Sequence, residues 1–325
     1  MASPLRKLDP FAPAVADAPS RAVGEGRPRQ AAAVRWLKLP GADQGLRQAL
    51  HHWVLALPAL WRGHRLQPDR AGCYATRFEP QAGLGDRFAH LFDLRRGPGG
   101  VDDPFLYAQG VIGLLQARVL ADLGVHARYV RLLRHRTWLP GGVPSGLDTM
   151  TQDIDCRLAR VVRVGPTEVV ALVETHIADV SGRTLVQAED AFVVRELEVA
   201  YAVQTKKDDL LRRAVSRMRL RGPEIDPAAD GVRQRQLFVA PDAGRRFARL
   251  AGGPGVRPWR RSPVQPMFLR HLVSRELAQW GLEQAGLQIT FTGRARPGQT
   301  LRLLLWGDAF ELVDERGRLL AFGKA

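Results

Sequence analysis

The chain has 325 residues, 45% of them hydrophobic, which is enough for a packed core in one large or two ordinary domains and excludes a wholly disordered chain. Its formal net charge is +15, from 48 basic residues against 33 acidic ones, and only five of the basic residues are lysines (Lys7, Lys38, Lys206, Lys207 and Lys324). The arginines are scattered over the whole length, which gives a general affinity for anions but no compact nucleic-acid-binding stripe, zinc-finger spacing or RNP-type aromatic motif.

No run of about 18 apolar residues occurs, so no membrane span is expected. The N-terminal MASPLRKLDPFAPAVADAPSR has no continuous apolar segment of the kind a secretory signal needs. Cys73 and Cys156 stand far apart without CxxC or Cys/His spacing and read as buried thiols, so neither a disulfide framework nor a metal site is expected. A cytoplasmic protein without metal or cofactor follows.

Residues 1–32, rich in Ala, Pro, Gly and Arg without periodicity, read as a loosely attached arm. GLRQALHHWVLALPALWRG (45–63) sets Leu46, Leu50, Trp53 and Leu57 at helical spacing and carries His51 and His52 with no acid nearby. FLYAQGVIGLLQARVLADL (105–123) is apolar nearly all round, as a buried helix is. Asp103 is placed to cap it, Pro104 to open it and Gly124 to end it. RYVRLLRHRTW, LDTMTQDIDCRLARVVRV, TEVVALVETHIADV and RTLVQAEDAFVVREL follow, β-branched or alternating and divided by PGG, GP and SGR turns; they predict a four-stranded antiparallel meander.

Residues 200–236 are charged and then broken by Gly, Pro and Asp, like a linker. The earlier order then returns. MFLRHLVSRELAQWGLEQAG (267–286) predicts a helix ending at a glycine, and LQITFTGRA, TLRLLLWG, AFELVDE and RLLAFGK predict four strands. DVSGRTL (179–185) has its counterpart in DERGRLL (314–320). The chain therefore repeats a unit of one buried helix and an antiparallel sheet. The expected divisions are an arm at 1–32, a first unit at 33–199, a linker at 200–236 and a second unit at 237–325.

Three stretches carry a family resemblance: FVAPDAGRRFARLAG (238–252), YAQGVIGLLQARVL (107–120) and SPVQPMFLRHLVSREL (262–277). Over roughly residues 70–325 the chain resembles the MaoC-like acyl dehydratases and (R)-enoyl hydratases. That resemblance implies an α+β tandem (double) hotdog, in which each unit wraps an antiparallel sheet around a long central helix. In active members the loop after the lead-in reads Asp-x-Asn-Pro-x-His, and its carboxylate and imidazole work as an acid–base pair on water and on the α-proton of an acyl thioester. A glycine N–H at the start of the central helix polarises the thioester carbonyl.

At the matching positions this chain has Gly253, Gly255-Val256, and Arg257 or Pro258, none of which transfers a proton near neutral pH. At the second helix start Gln265 takes the histidine position and Pro266, which has no N–H, takes the glycine position. The first helix start keeps its glycine in Ala108-Gln109-Gly110, with Tyr107 and Gln109 as neutral hydrogen-bonding groups.

The substrate-binding candidates are therefore Tyr107, Gln109, Gly110, Arg257 and Gln265. No acid–histidine pair appears at the expected spacing elsewhere: His176 and Asp179 fall on opposite faces of a strand, His271 and Glu276 on different faces of a helix, and His126 and His135 lie among arginines, so each reads as structural rather than catalytic. The leading expectation is a catalytically degenerate protein that binds acyl-CoA or acyl-carrier protein, partnered by an active hotdog subunit or by self-association. The alternative is an active hydratase, dehydratase or thioesterase whose chemistry has moved to residues such as Tyr107, Gln109, Asp148 or His176. Nucleic-acid binding ranks lowest.

Overall fold

The computed structural model describes residues 34–38, 66–81, 83–92, 104–125, 129–142, 147, 149–164, 167–195, 222–251, 264–282 and 286–325. The arm at 1–32, the helix expected over 45–63, Asp103, His126 and Asp148 lie outside these. In chain order the elements are β1 (Val34–Trp36), β2 (Cys73–Phe78), α1 (Leu84–Leu91), α2 (Pro104–Asp122), β3 (Val130–Trp138), β4 (Gln152–Arg163), β5 (Val169–Asp179) and β6 (Thr184–Val194). There follow β7 (Arg233–Phe238), α3 (Ala243–Ala251), α4 (Pro266–Gln279), β8 (Gly286–Phe291), β9 (Thr300–Trp306), β10 (Ala309–Asp314) and β11 (Leu319–Lys324). The first four residues of β7 fall in the stretch read as linker.

The strands form one eleven-stranded sheet in the order β1-β2-β4-β5-β6-β3-β8-β11-β10-β9-β7. The same path is drawn twice: strand, short helix, long helix and four strands give the order β2-β4-β5-β6-β3 and then β7-β9-β10-β11-β8. The two halves meet where β3 and β8 pair antiparallel, from Arg134 opposite Thr290 to Trp138 opposite Gly286.

The expected four-stranded meander needs correction. Only β4, β5 and β6 form one; β3 crosses to the far side of β6. The reason is that β3 has two neighbours to satisfy, β6 on one edge and β8 on the other. Each half also has a fifth strand, β2 or β7, ahead of its helices.

Helix α2 buries Phe105, Leu106, Val111, Ile112, Leu115 and Val119, and each such side chain contributes on the order of 1.5–3 kcal/mol. It stops where Gly124 turns left-handed (φ +84°) and Val125 N–H donates to Leu120 O at 3.0 Å, closing the last turn. The Tyr74 hydroxyl of β2 donates to Asp122 and pins that end to the sheet. Helix α4 is shorter than expected: it ends at Gln279, because Gly281 (φ +76°), not Gly286, supplies the left-handed residue.

The turns matched in sequence are matched in geometry. Asp179 Oδ1 accepts from the N–H groups of Ser181 and Arg183, and Asp314 Oδ1 accepts from those of Arg316 and Arg318. Gly182 and Gly317 both sit at positive φ, as this hairpin loop requires. On β5, Val169, Ala171 and Val173 face the helices, while Val170 and Leu172 join Leu133, Val162 and Val193 in a second apolar cluster on the other face. Burial on both faces explains the unbroken run VVALV. Both thiols are buried, as expected.

Candidate active site at the seam

The candidate site is built where α2 and α4 begin. Each long helix is preceded by a short one, and the two short helices share a motif, Arg87-Phe88-Ala89-His90-Leu91 in α1 and Arg246-Phe247-Ala248-Arg249-Leu250 in α3. In α3 the apolar residues Ala243, Phe247, Ala248 and Ala251 are buried while Arg245 and Arg249 stay exposed, so the helix lies flat with one face inward.

The two phenylalanines of the motif meet edge to face at 6.4 Å. Phe88 also meets Tyr107 at 6.2 Å, and Phe247 meets Phe268 at 5.7 Å. Phe92 stacks on Phe268 at 5.2 Å. A continuous line of aromatic contacts thus runs from Tyr107, in the first turn of α2, to Phe268, in the first turn of α4.

Gly110 is buried, and Gln109 lies beside it with its Oε1 buried and without a hydrogen-bond partner among the described residues. Gln265 caps α4 through its backbone: its carbonyl accepts from Phe268 N at 3.0 Å, its side chain makes no capping bond, and Pro266 is the first helical residue. The lead-in helix α3 runs to Ala251. Gly253, Gly255, Arg257 and Pro258 lie outside the described residues.

A polar cluster sits beneath the helix starts. His135 of β3 and Asp190 of β6 are directly paired across the sheet, on the face toward the helices. Their side chains join at 2.7 Å between Nδ1 and Oδ1, with 0% and 2% exposure. Gln116 of α2 donates from Nε2 to Asp190 Oδ2 at 2.6 Å and to Thr175 Oγ1 at 3.3 Å. Thr175 in turn touches Cys156 Sγ at 3.3 Å, and burial holds that thiol protonated, far above its ordinary range.

From α4 the buried Arg270 donates from Nη1 to His271 Nδ1 at 2.9 Å. Burial pushes the Arg270 guanidinium down to about 9. His271 is driven well below the usual imidazole range by burial, by Arg270 and by His135, and is neutral at neutral pH.

No family model matches the chain, and no curated protein does. Solved structures do. A MaoC-like dehydratase from Phytophthora capsici superposes with a TM-score of 0.55 at 12% identity, over 80% of this chain and 98% of that one. HtdX from Mycobacterium tuberculosis gives 0.53 at 14%, over 76% and 96%. Full-length peroxisomal multifunctional enzyme type 2 from Drosophila melanogaster gives 0.53 at 17%, over 88% of this chain and 53% of that one.

The fold is a double hotdog. At these identities the likeness speaks for architecture, and chemistry has to be argued from the residues of this chain.

Within this double hotdog, two acid–histidine pairs form outside the loop, neither of them at the spacing the resemblance leads one to expect. His135–Asp190 is one pair. The other is His176, which faces Asp155 across β4 and β5 at 3.2 Å and reaches Thr184 Oγ1 at 2.9 Å on the outer, half-exposed face of the sheet. Both pairs are cross-strand, so neither partner is near the other in sequence. The one available signal was alternation: in Arg134-His135-Arg136 and Glu189-Asp190-Ala191 the middle residue faces the core. His271 and Glu276 do not meet; Glu276 pairs with Arg235 and Arg275. No helix among the described residues is long and apolar enough to cross a membrane.

Proposed function

We propose that this chain binds an acyl thioester, presented on coenzyme A or on an acyl-carrier protein, with the thioester at the start of α2. The observation that carries the reading is the buried Gln109 Oε1 beside Gly110, an acceptor without a hydrogen-bond donor among the described residues. A buried acceptor left unsatisfied costs about 1–3 kcal/mol, which an amide or hydroxyl donor on a ligand offsets. The net charge of +15 suits a ligand with phosphates or an acidic carrier.

The hydration chemistry of the proteins this chain resembles is not retained in the second half. Gly253, Gly255, Arg257 and Pro258 stand where the acid and base belong, and Pro266 takes the place of the N–H that would polarise a carbonyl. For enoyl hydration or 3-hydroxyacyl dehydration the chain serves as a binding subunit, completed by an active hotdog partner. Arg257 is a candidate contact for ligand phosphate.

Calorimetry with saturated acyl-CoAs against free CoA tests the reading. Tighter binding of the acylated form, weakened about tenfold by Gln109→Leu, is expected. Rapid hydration of an enoyl-CoA by the isolated chain contradicts it.

A further inference from the structure

We infer that His135 and Asp190 form a general-base pair that hydrolyses an acyl thioester held at the seam, an inference that rests on the binding reading above. Asp190 accepts from His135 Nδ1 at 2.7 Å and so fixes the imidazole as the tautomer with its proton on Nδ1. Gln116 occupies the second carboxylate oxygen at 2.6 Å and stops Asp190 from rotating away. Nε2 is left with a lone pair, buried, and without a hydrogen-bond partner among the described residues. A carboxylate-oriented imidazole with a bare Nε2 in a low-dielectric site is the arrangement a general base needs.

One ring packs against the imidazole. Phe105, in the first turn of α2, stands edge-on to His135 at 4.6 Å, and the Arg270 guanidinium lies over the same ring at 5.8 Å. A rotation of Phe105 about its Cα–Cβ bond leaves a slot the size of a phenyl ring, bordered by a base on one side and a buried cation on the other. His271 accepts the Arg270 Nη1–H and, being neutral, holds the guanidinium in place without adding charge.

A thioester carbonyl in that slot meets both groups. His135 Nε2 takes a proton from water as the water oxygen adds to the carbonyl carbon, and the resulting oxyanion faces Arg270. The C=O bond re-forms, the C–S bond breaks, and the proton on Nε2 passes to the departing thiolate. The products are a carboxylic acid and a thiol, with no oxidant, reductant or metal required. His135 is the catalytic residue; Asp190 and Gln116 are positioning residues.

The full-length chain is incubated with saturated acyl-CoAs, and thiol release is followed with an aromatic disulfide reagent. Wild type is expected to hydrolyse, and His135→Gln and Asp190→Asn to lose about 100-fold in kcat while KM stays within about twofold. Circular dichroism reports the folded fraction of each variant, and the wild-type measurement needs no variant to fold. A wild type that binds acyl-CoA but releases no thiol, or hydrolysis undiminished in either folded variant, overturns the inference and leaves the binding reading standing. Absence of both binding and hydrolysis removes both.

Discussion

Replacing Phe247 by alanine removes the ring at the centre of the aromatic line that joins the starts of α2 and α4. Phe247 is fully buried, and its ring meets Phe88 at 6.4 Å, Phe92 at 6.3 Å, Phe268 at 5.7 Å and His271 at 5.9 Å. Loss of transfer energy plus the cavity left behind predicts a cost of about 3–5 kcal/mol, a large part of the roughly 5–15 kcal/mol that holds a typical domain together.

Specific ring geometry adds about 0.5–1.5 kcal/mol per aromatic pair beyond area. A double-mutant cycle on Phe88→Leu and Phe247→Leu should return a coupling in that range. Urea unfolding at neutral pH, followed by near- and far-UV circular dichroism, measures both quantities. A cost under about 1 kcal/mol for Phe247→Ala, the size of an ordinary surface change, refutes the packing described for the seam.

Three further outcomes follow from the structure. Burial alone raises the Asp314 pKa, but hydrogen bonds from the Arg318 side chain and from two backbone N–H groups outweigh it and leave the carboxyl below its ordinary value. Its stabilising effect is therefore complete above the unfolded carboxylate pKa and is lost as pH falls through the lower folded one; Asp314→Ala should cost about 2 kcal/mol at neutral pH in a thermal melt.

Glu311 is the opposite case. Burial raises its pKa although it accepts the N–H groups of Glu224 and Ile225. Its contribution thus grows as pH falls through the folded value, a dependence that Glu311→Gln should abolish. Glu224 sits at φ +56°, so Glu224→Gly should raise stability by about 0.5 kcal/mol, the left-handed strain relieved less the entropy of the added glycine.

Much of this architecture is written in local patterns. Helix α2 was legible because an all-round apolar run stands between Asp-Asp-Pro and Gly124, and the later strands because β-branched residues alternate between turns. The hairpins at Asp179 and Asp314 were legible because an Asp and a left-handed Gly at fixed spacing are what the turn itself requires. Strand order was not, since the placement of β3 between β6 and β8 depends on partners roughly 50 to 60 residues later in sequence on one edge and about 150 later on the other.

Strand β2 and helix α1 were passed over although Arg87-Phe88-Ala89-His90-Leu91 repeats Arg246-Phe247-Ala248-Arg249-Leu250; the repeat is short, and only the meeting of the two rings gives it meaning. The His135–Asp190 pair was hidden for a related reason. Arginines at 134 and 136 are its neighbours in sequence, whereas the alternation turns the histidine between them inward to a carboxylate on another strand.

The central claim is that an acyl thioester lies at the start of α2. A crystal structure of the chain with a non-hydrolysable acyl-CoA ether analogue tests it most directly. Density for the acyl–pantetheine junction within hydrogen-bonding reach of Gln109, with the phosphates outside among arginines, is the predicted result. An analogue bound elsewhere, with the space beside Gln109 and Phe105 filled by protein as before, contradicts the account.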